Sequence, residues 1–328
     1  MNRPSVAILD VGHGNSAVLF NTKGVIVIDG GRNGVLIDFL RQLKVRTVHA
    51  LLISHADADH ISNASDVLLD DKIDVKAVYY NSDASQTSRA WQGFRKAIKE
   101  ARRNKKTHAE AQLTTSQTKK MNYGDVKIEV LYPYPEMAAS GPGGSDEESQ
   151  PITSNSMSAV IRLSTPKGKM VMLAGDVEPG CLTAWKEEGE DPTANVLVYP
   201  HHGGNPGTHD RVKFAVDLVK AVKPKIVIFS IHRTLHGLPQ PDVVAAVRAN
   251  VSGVRVACTQ LSAHCSASLP TSAPGHLTDY EANGQPSNTC CAGTIVIDLS
   301  GEKPVLEPGN KIHRAFIRSL NASPLCLK

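Results

Sequence analysis

The sequence predicts an α+β fold in four layers, two facing β-layers with helices outside them (αββα). Short β-rich runs dominate the first third, and the second half repeats the alternation of strand and helix. Most of these runs stop at glycine or at polar residues able to bind something. With 328 residues and 41% hydrophobic composition, the chain can bury the core such layers need.

The elements follow in order. "SVAILDV", "AVLF" and "GVIVIDGG" read as strands, "GVLIDFLRQL" as a helix and "TVHALLIS" as the next strand. A helix over 63–70, the strand "DVKAVYY" and a basic amphipathic helix come next, then a hairpin-like "YGDVKIEVLYP" and the polar loop "PYPEMAASGPGGSDEESQP". In the second half, "MSAVIRLS", "KMVMLAGD", "NVLVYP", "KIVIFS" and "GVRVACT" read as strands, with helices near 179–188, 210–221 and 240–250. Residues 259–292, rich in Ser, Pro, Gly and Cys, form an irregular insert before "GTIVIDLS" returns to the sheet. Residues 1–300 are thus expected to be one domain carrying that insert, and 301–328 an extended or weakly structured C-terminal tail.

No run approaches the roughly 18 apolar residues of a membrane span, and the N-terminus runs straight into a strand, so a cytoplasmic protein without membrane contact is expected. The net charge of +4 is mild but uneven: residues 89–106 hold eight Lys or Arg against one Glu. Such a run is most often a solvated face; the functional alternative is a contact for a polyanion through residues such as Arg95, Lys99 and Arg102.

"SHADADH" places His55, Asp57, Asp59 and His60 directly after an apolar strand. Imidazole and carboxylate together suit Zn, Mn or Fe, and four ligands so close can be split between two cations about 3.5–4 Å apart. An acidic turn capped by histidines would need fewer such groups. Further ligand types stand at other strand ends: Asp176 after "MVMLAG", His201 and His202 after "NVLVYP", His232 and His236 after "KIVIFS". Singly these could be caps or core histidines; as a series they point to one site.

The motifs resemble those of metallo-β-lactamase-fold hydrolases, and most closely the hydrolase domain of ComEC-type DNA-internalisation competence proteins and related phosphorylcholine esterases. "LDVGHGNSAVLF" is similar to the family's DVGQGD opening, with His13 for Gln and Asn15 for Asp. "VIDGG", "SHADADH", "NSMSAVIRL", "LAGD" and "YPHHGG" resemble its Asp-Gly strand end, SHxDxDH, NxxS, LTGD and HHGS, over roughly residues 5–245. The resemblance implies His55 and Asp57 as ligands of a first metal, Asp59 and His60 of a second, and Asp176 bridging them. His202 would complete the second sphere, with His201 orienting it or touching substrate. His13, Asn155 and Ser158 would line the substrate side. In "LHGLPQPDVV", Leu238 stands where the family's GHPHP-like motif has a histidine, which His236 or His232 would have to replace.

Two bound cations, Zn or Mn, would supply a hydroxide of pKa about 7, oriented by Asp59 or Asp57, with His236 or His232 stabilising charge on the scissile group. The relatives and the basic helix favour phosphodiesters, most of all DNA, and a nuclease effector in a multi-protein system. The alternatives are a small-molecule hydrolase of lactonase or phosphocholine-ester type, and a non-catalytic module docking a partner through the insert. Cys258, His264, Cys265, Cys290 and Cys291 could hold one additional structural Zn; buried free thiols are the competing reading.

Overall fold

In the computed structural model, residues 3–121, 124–146, 149–320 and 324–327 are described. Eight strands form one sheet in the order Val305–Glu307, Ile295–Asp298, Ser5–Ile8, Ala17–Asn21, Gly24–Ile28, Ala50–Ile53, Ala77–Tyr80 and His108–Glu110. Six form the other: Arg255–Cys258, Ile226–Phe229, Val196–Val198, Gly168–Leu173, Val160–Thr165 and Lys127–Tyr132.

Strand alternation sorts the apolar residues into three cores and so makes the four layers. Val6, Ile8, Leu19, Ile26 and Leu52 of the first sheet face Ile128, Ile161, Val171, Val196 and Ile228 of the second. Their neighbours Ala7, Val18, Val27 and Leu51 turn outward onto Leu36 and Phe39, Ile61 and Val67, and Trp91 and Phe94 of three helices, Val35–Gln42, Ala58–Leu69 and Arg89–Asn104. On the opposite side Leu197, Val227 and Val256 meet Trp185, Leu218 and Val247 of Gly180–Glu187, Arg211–Val222 and Pro241–Asn250. The αββα expectation holds.

Parallel pairing sets where the site opens. Ile28 is level with Leu52, and Leu173, Val198 and Ile228 share one level in the other sheet. The loops after these strands therefore leave from the same edge, where α/β sheets place their ligands.

Three local expectations change. The helix after "SHADADH" begins at Ala58, with Asp57 as its N-cap residue, rather than at 63; acidic residues in a first turn are favoured by the helix dipole. "TVHALLIS" and "DVKAVYY" each split into a two-residue and a four-residue strand. The tail is not loose: Val305–Glu307 extends the first sheet beyond residue 300, and Asn310–Ser319 is a helix whose His313 and Ile317, four residues apart on one face, are buried.

Residues 259–292 are irregular as expected, holding one isolated bridge, Gln260 with Cys290. Side chains tie them down. The buried Arg233 guanidinium donates to the carbonyls of Leu261 (2.7 Å), Ser266 (2.8 Å) and Ala267 (3.1 Å). Asp10 accepts from Gln260 Nε2 at 3.0 Å and from the Gly284 N–H at 2.9 Å, fastening the insert to the "DVGHG" loop.

Candidate metal centre

Five loops meet at the common edge. Asp59, His60, Asp176 and His202 each offer a donor atom there, and these atoms lie within 4.8 Å of one another. Asp59 Oδ2 is 3.2 Å from His202 Nε2 and 3.9 Å from His60 Nε2; Asp176 is 3.5 Å from His60 Nε2 and 3.8 Å from His202 Nε2. His55, Asp57 and His201 border this group. His55 Nε2 lies 3.7 Å from Asp57 Oδ2, and His201 Nδ1 3.8 Å from Asp176 Oδ2.

The histidines are held from behind. His60 Nδ1 donates to Asp29 Oδ2 at 2.8 Å, His202 Nδ1 to the Ser230 carbonyl at 2.8 Å, and His55 Nδ1 contacts the hydroxyls of Ser54 (3.0 Å) and Ser158 (3.2 Å). Each therefore turns Nε2 toward the carboxylates. Nε2 of His55, His60 and His201 is buried without a hydrogen-bond partner. Buried imidazole nitrogens are normally paired, so three unpaired ones among Asp57, Asp59 and Asp176 fit a cation that the residues would hold.

Charge follows the same logic. Burial alone would raise Asp176, but the charges of His202, His60 and His201 hold it well below the carboxylate range. Asp59 is likewise held low against burial, by the His202 hydrogen bond and the His60 charge. His60 and His202 are raised despite burial, both by Asp176, with Asp29 acting on His60 and Asp59 on His202. Protons on these two rings do the neutralising work that a divalent cation does when it replaces them.

Backbone geometry serves the site. His201 (φ 50°) and His202 (φ 55°) are left-handed, as are Asp29 (φ 58°) and His236 (φ 57°), a conformation costing non-glycine residues about 1–3 kcal/mol. At Gly14 (φ 133°) a Cβ would sit 2.2 Å from the Asp59 carbonyl, so only glycine lets the "DVGHG" loop cross the start of that helix.

The substrate-side residues divide. His13 Nε2 is 3.5 Å from Asp59 Oδ2, and its ring centroid is 4.5 Å from His202 and 4.8 Å from the exposed His236. Burial and the His202 charge push His13 down to about 4, leaving it neutral near pH 7. His232 is engaged with Thr234 in its own turn (3.3 Å), with no contact to the metal-binding group among the described residues. Leu238 is buried in the outer core of the second sheet, which removes that position from the site. Asn155 keeps a buried, unpaired Oδ1.

Two expectations are corrected. Ser158 is fully buried, so it supports His55 and the Asp176 N–H (2.9 Å) instead of meeting substrate. Among the proposed zinc ligands, the exposed His264 points to the Gly237 carbonyl (3.0 Å) and Cys290 Sγ to Asp10 (3.5 Å). Sequence reasoning gave Asp29, Ser54, Gln86 and Ser230 no role. Asp29 had a usable signal, since it ends an apolar strand as Asp176 nearly does.

Arg95, Lys99 and Arg102 are exposed on Arg89–Asn104. Their spacing aligns them on one face, and no ion pair holds them among the described residues. The loop before this helix touches the site: Gln86 Nε2 donates to Asp57 Oδ1 at 2.9 Å.

This buried Asp/His cluster at the shared edge of two sheets defines a metal-dependent hydrolase. The chain belongs to the metallo-beta-lactamase superfamily, whose family model matches residues 9–231. Among solved structures it is similar to YhfI, a metallo-beta-lactamase fold protein from Bacillus subtilis, with 14% identity over 78% of this chain and 96% of that one and a TM-score of 0.48. It is also similar to a diphosphatase from the PhnP family (12% identity, 75% and 93% covered, TM-score 0.42) and to human tRNase Z, short form (15%, 70% and 92%, TM-score 0.39). No curated protein matches it. No described helix is long and apolar enough to cross a membrane.

Proposed function

We propose that the chain hydrolyses phosphodiester bonds in DNA, with two divalent cations, Zn or Mn, held by His55, Asp57, Asp59, His60, Asp176, His201 and His202. Bound there, such cations lower the pKa of water and polarise phosphoryl oxygens. Asp59 Oδ2, between His13 and His202, would accept a hydrogen bond from the attacking water and orient it. Neutral His13 donates a hydrogen bond to a phosphoryl oxygen, and His236 beside it stabilises charge at the mouth.

The observation that carries DNA is the unpaired row Arg95, Lys99 and Arg102 on a helix whose leading loop is bonded to Asp57. A polyanion threading past the metals would run along that helix, roughly 24 Å long at about 1.5 Å per residue. The likeness of the "SHADADH", "LAGD" and "YPHHGG" series to the ComEC-type domain supports the same substrate. We place the activity in the cytoplasm, on DNA already inside the cell, as an effector working with other proteins.

The test is cleavage of plasmid, linear and single-stranded DNA, RNA and bis-nitrophenyl phosphate by the Mn- or Zn-loaded chain. DNA cleavage is expected, along with weaker DNA binding at higher salt. Three phosphate contacts give a log–log slope of about −2.7, or roughly a 40-fold affinity loss between about 50 and 200 mM salt. Arg95→Glu, Lys99→Glu and Arg102→Glu together should flatten the slope by about that amount. Hydrolysis of the small diester with no polymer cut sinks the DNA reading.

A further inference from the structure

Two ends of the irregular segment and the C-terminal helix converge on the second sheet. Cys258 ends the strand Arg255–Cys258, Cys265 and Cys291 lie near either end of the insert, and His313 comes from Asn310–Ser319. All four are buried, and with Cys326 they line one cavity whose free space, about 10 Å³, is the size a single water or ion occupies.

Two contacts are those of a ligand set. Cys291 Sγ stands 3.3 Å from His313 Nε2; two ligands of one tetrahedral zinc, at about 2.3 Å for sulfur and about 2.0–2.1 Å for nitrogen, are roughly 3.6 Å apart. The Leu325 N–H points at Cys265 Sγ, 3.5 Å away, the outer hydrogen bond that supports a thiolate ligand. No three of these donors lie within 4.8 Å of one another, so a bound ion requires the sulfurs to shift inward across the cavity.

We propose that Cys258, Cys265, Cys291 and His313 form a structural zinc site that pins the insert and the C-terminal helix to the second sheet, with Cys326 at its mouth. Three thiol protons leave to solvent as three zinc–sulfur bonds form, and no oxidant is involved. Burial and the neighbouring His276 push His313 down to about 3, so its ring is a neutral ligand. Burial and the adjacent thiols raise Cys258 and Cys291, so both hold their protons until a cation displaces them. The site is independent of the hydrolytic centre and of its substrate.

The test is Co(II) titration of the metal-free full chain. One equivalent should develop the near-ultraviolet thiolate-to-cobalt charge-transfer band, bleached by zinc; the Asp/His centre has no thiolate to produce it. Cys291→Ser should lose at least half the band, whereas Cys290→Ser, whose sulfur faces Asp10, should keep it. Should Cys291→Ser fail to fold, the unmutated chain still decides. No band with all thiols titrating free, a disulfide in place of two thiols, or a band lost in Cys290→Ser overturns the proposal.

Discussion

Asp29→Asn should weaken metal binding without unfolding the protein. The Asp29 carboxylate accepts from Ser54 N (2.7 Å), Ser54 Oγ (2.8 Å) and His60 Nδ1 (2.8 Å). Asparagine can keep its oxygen on the Ser54 N–H, but its NH₂ then faces His60 Nδ1. A donor there requires Nδ1 to accept, which moves the ring proton to Nε2, the nitrogen turned toward Asp59 and Asp176. His60 then offers a proton where the cation needs a lone pair. Loss of such an outer carboxylate typically costs 10–100-fold in metal affinity, about 1.4–2.7 kcal/mol. Competition against a chromogenic chelator measures the affinity, and hydrolysis at rising metal concentration should recover much of the lost activity. Unchanged affinity in Asp29→Asn, or inactivity at saturating metal with the fold intact, would refute the tautomer argument.

The other predictions follow from the same geometry. Gly14→Ala places a Cβ against the Asp59 carbonyl at φ 133°, so it should lower stability by about 1–3 kcal/mol in thermal melts and weaken metal binding as Asp59 shifts. His236→Ala should lower kcat about 100-fold while His232→Ala stays within about twofold, since only His236 packs beside His13; equal losses would count against this assignment. Glu129 is held at about 2, below its ordinary 4.5, by Arg162, Lys127 and Ser164 acting against burial. A depressed folded-state pKa stabilises fully above about 4.5 and fades as pH falls toward about 2. Glu129→Gln should therefore be less stable than the unmutated chain at pH 6 and converge with it near pH 2, read from denaturant midpoints.

The layers were legible because alternation is a property of neighbouring residues: Val6 and Ile8 face one way and Ala7 the other whatever their partners are. The helix start at Ala58 was not, since Asp57, Asp59 and His60 are turn-favouring types, and only the surrounding loops show that they begin a helix. The ligand series could be read because each member closes an apolar strand. Its support could not: a carboxylate at 29 looks the same in sequence whether it caps a turn or orients His60.

The cysteines show where chain proximity misleads. Cys290 and Cys291 look like a natural ligand pair, yet the chain bends at Cys291 just after the bridge at Cys290, and one sulfur meets Asp10 while the other meets His313. Of the groups that join Cys291, Cys258 and Cys265 lie 33 and 26 residues earlier, and His313 lies 22 residues further on, in a tail whose helix is shorter than three full turns. The left-handed residues are hidden for a related reason. Asp29, His201, His202 and His236 occupy backbone that glycine or asparagine would take at less cost. Nothing in their sequence marks φ, so the strain becomes visible only with the fold. Three of the four are the groups that hold, orient or form the carboxylate–imidazole cluster, and the fourth stands beside His13 at its mouth. Other non-glycine residues, Lys44 and Lys223 among them, are left-handed too; at these four positions the chemistry of the side chain, not backbone preference, decides which amino acid stands there.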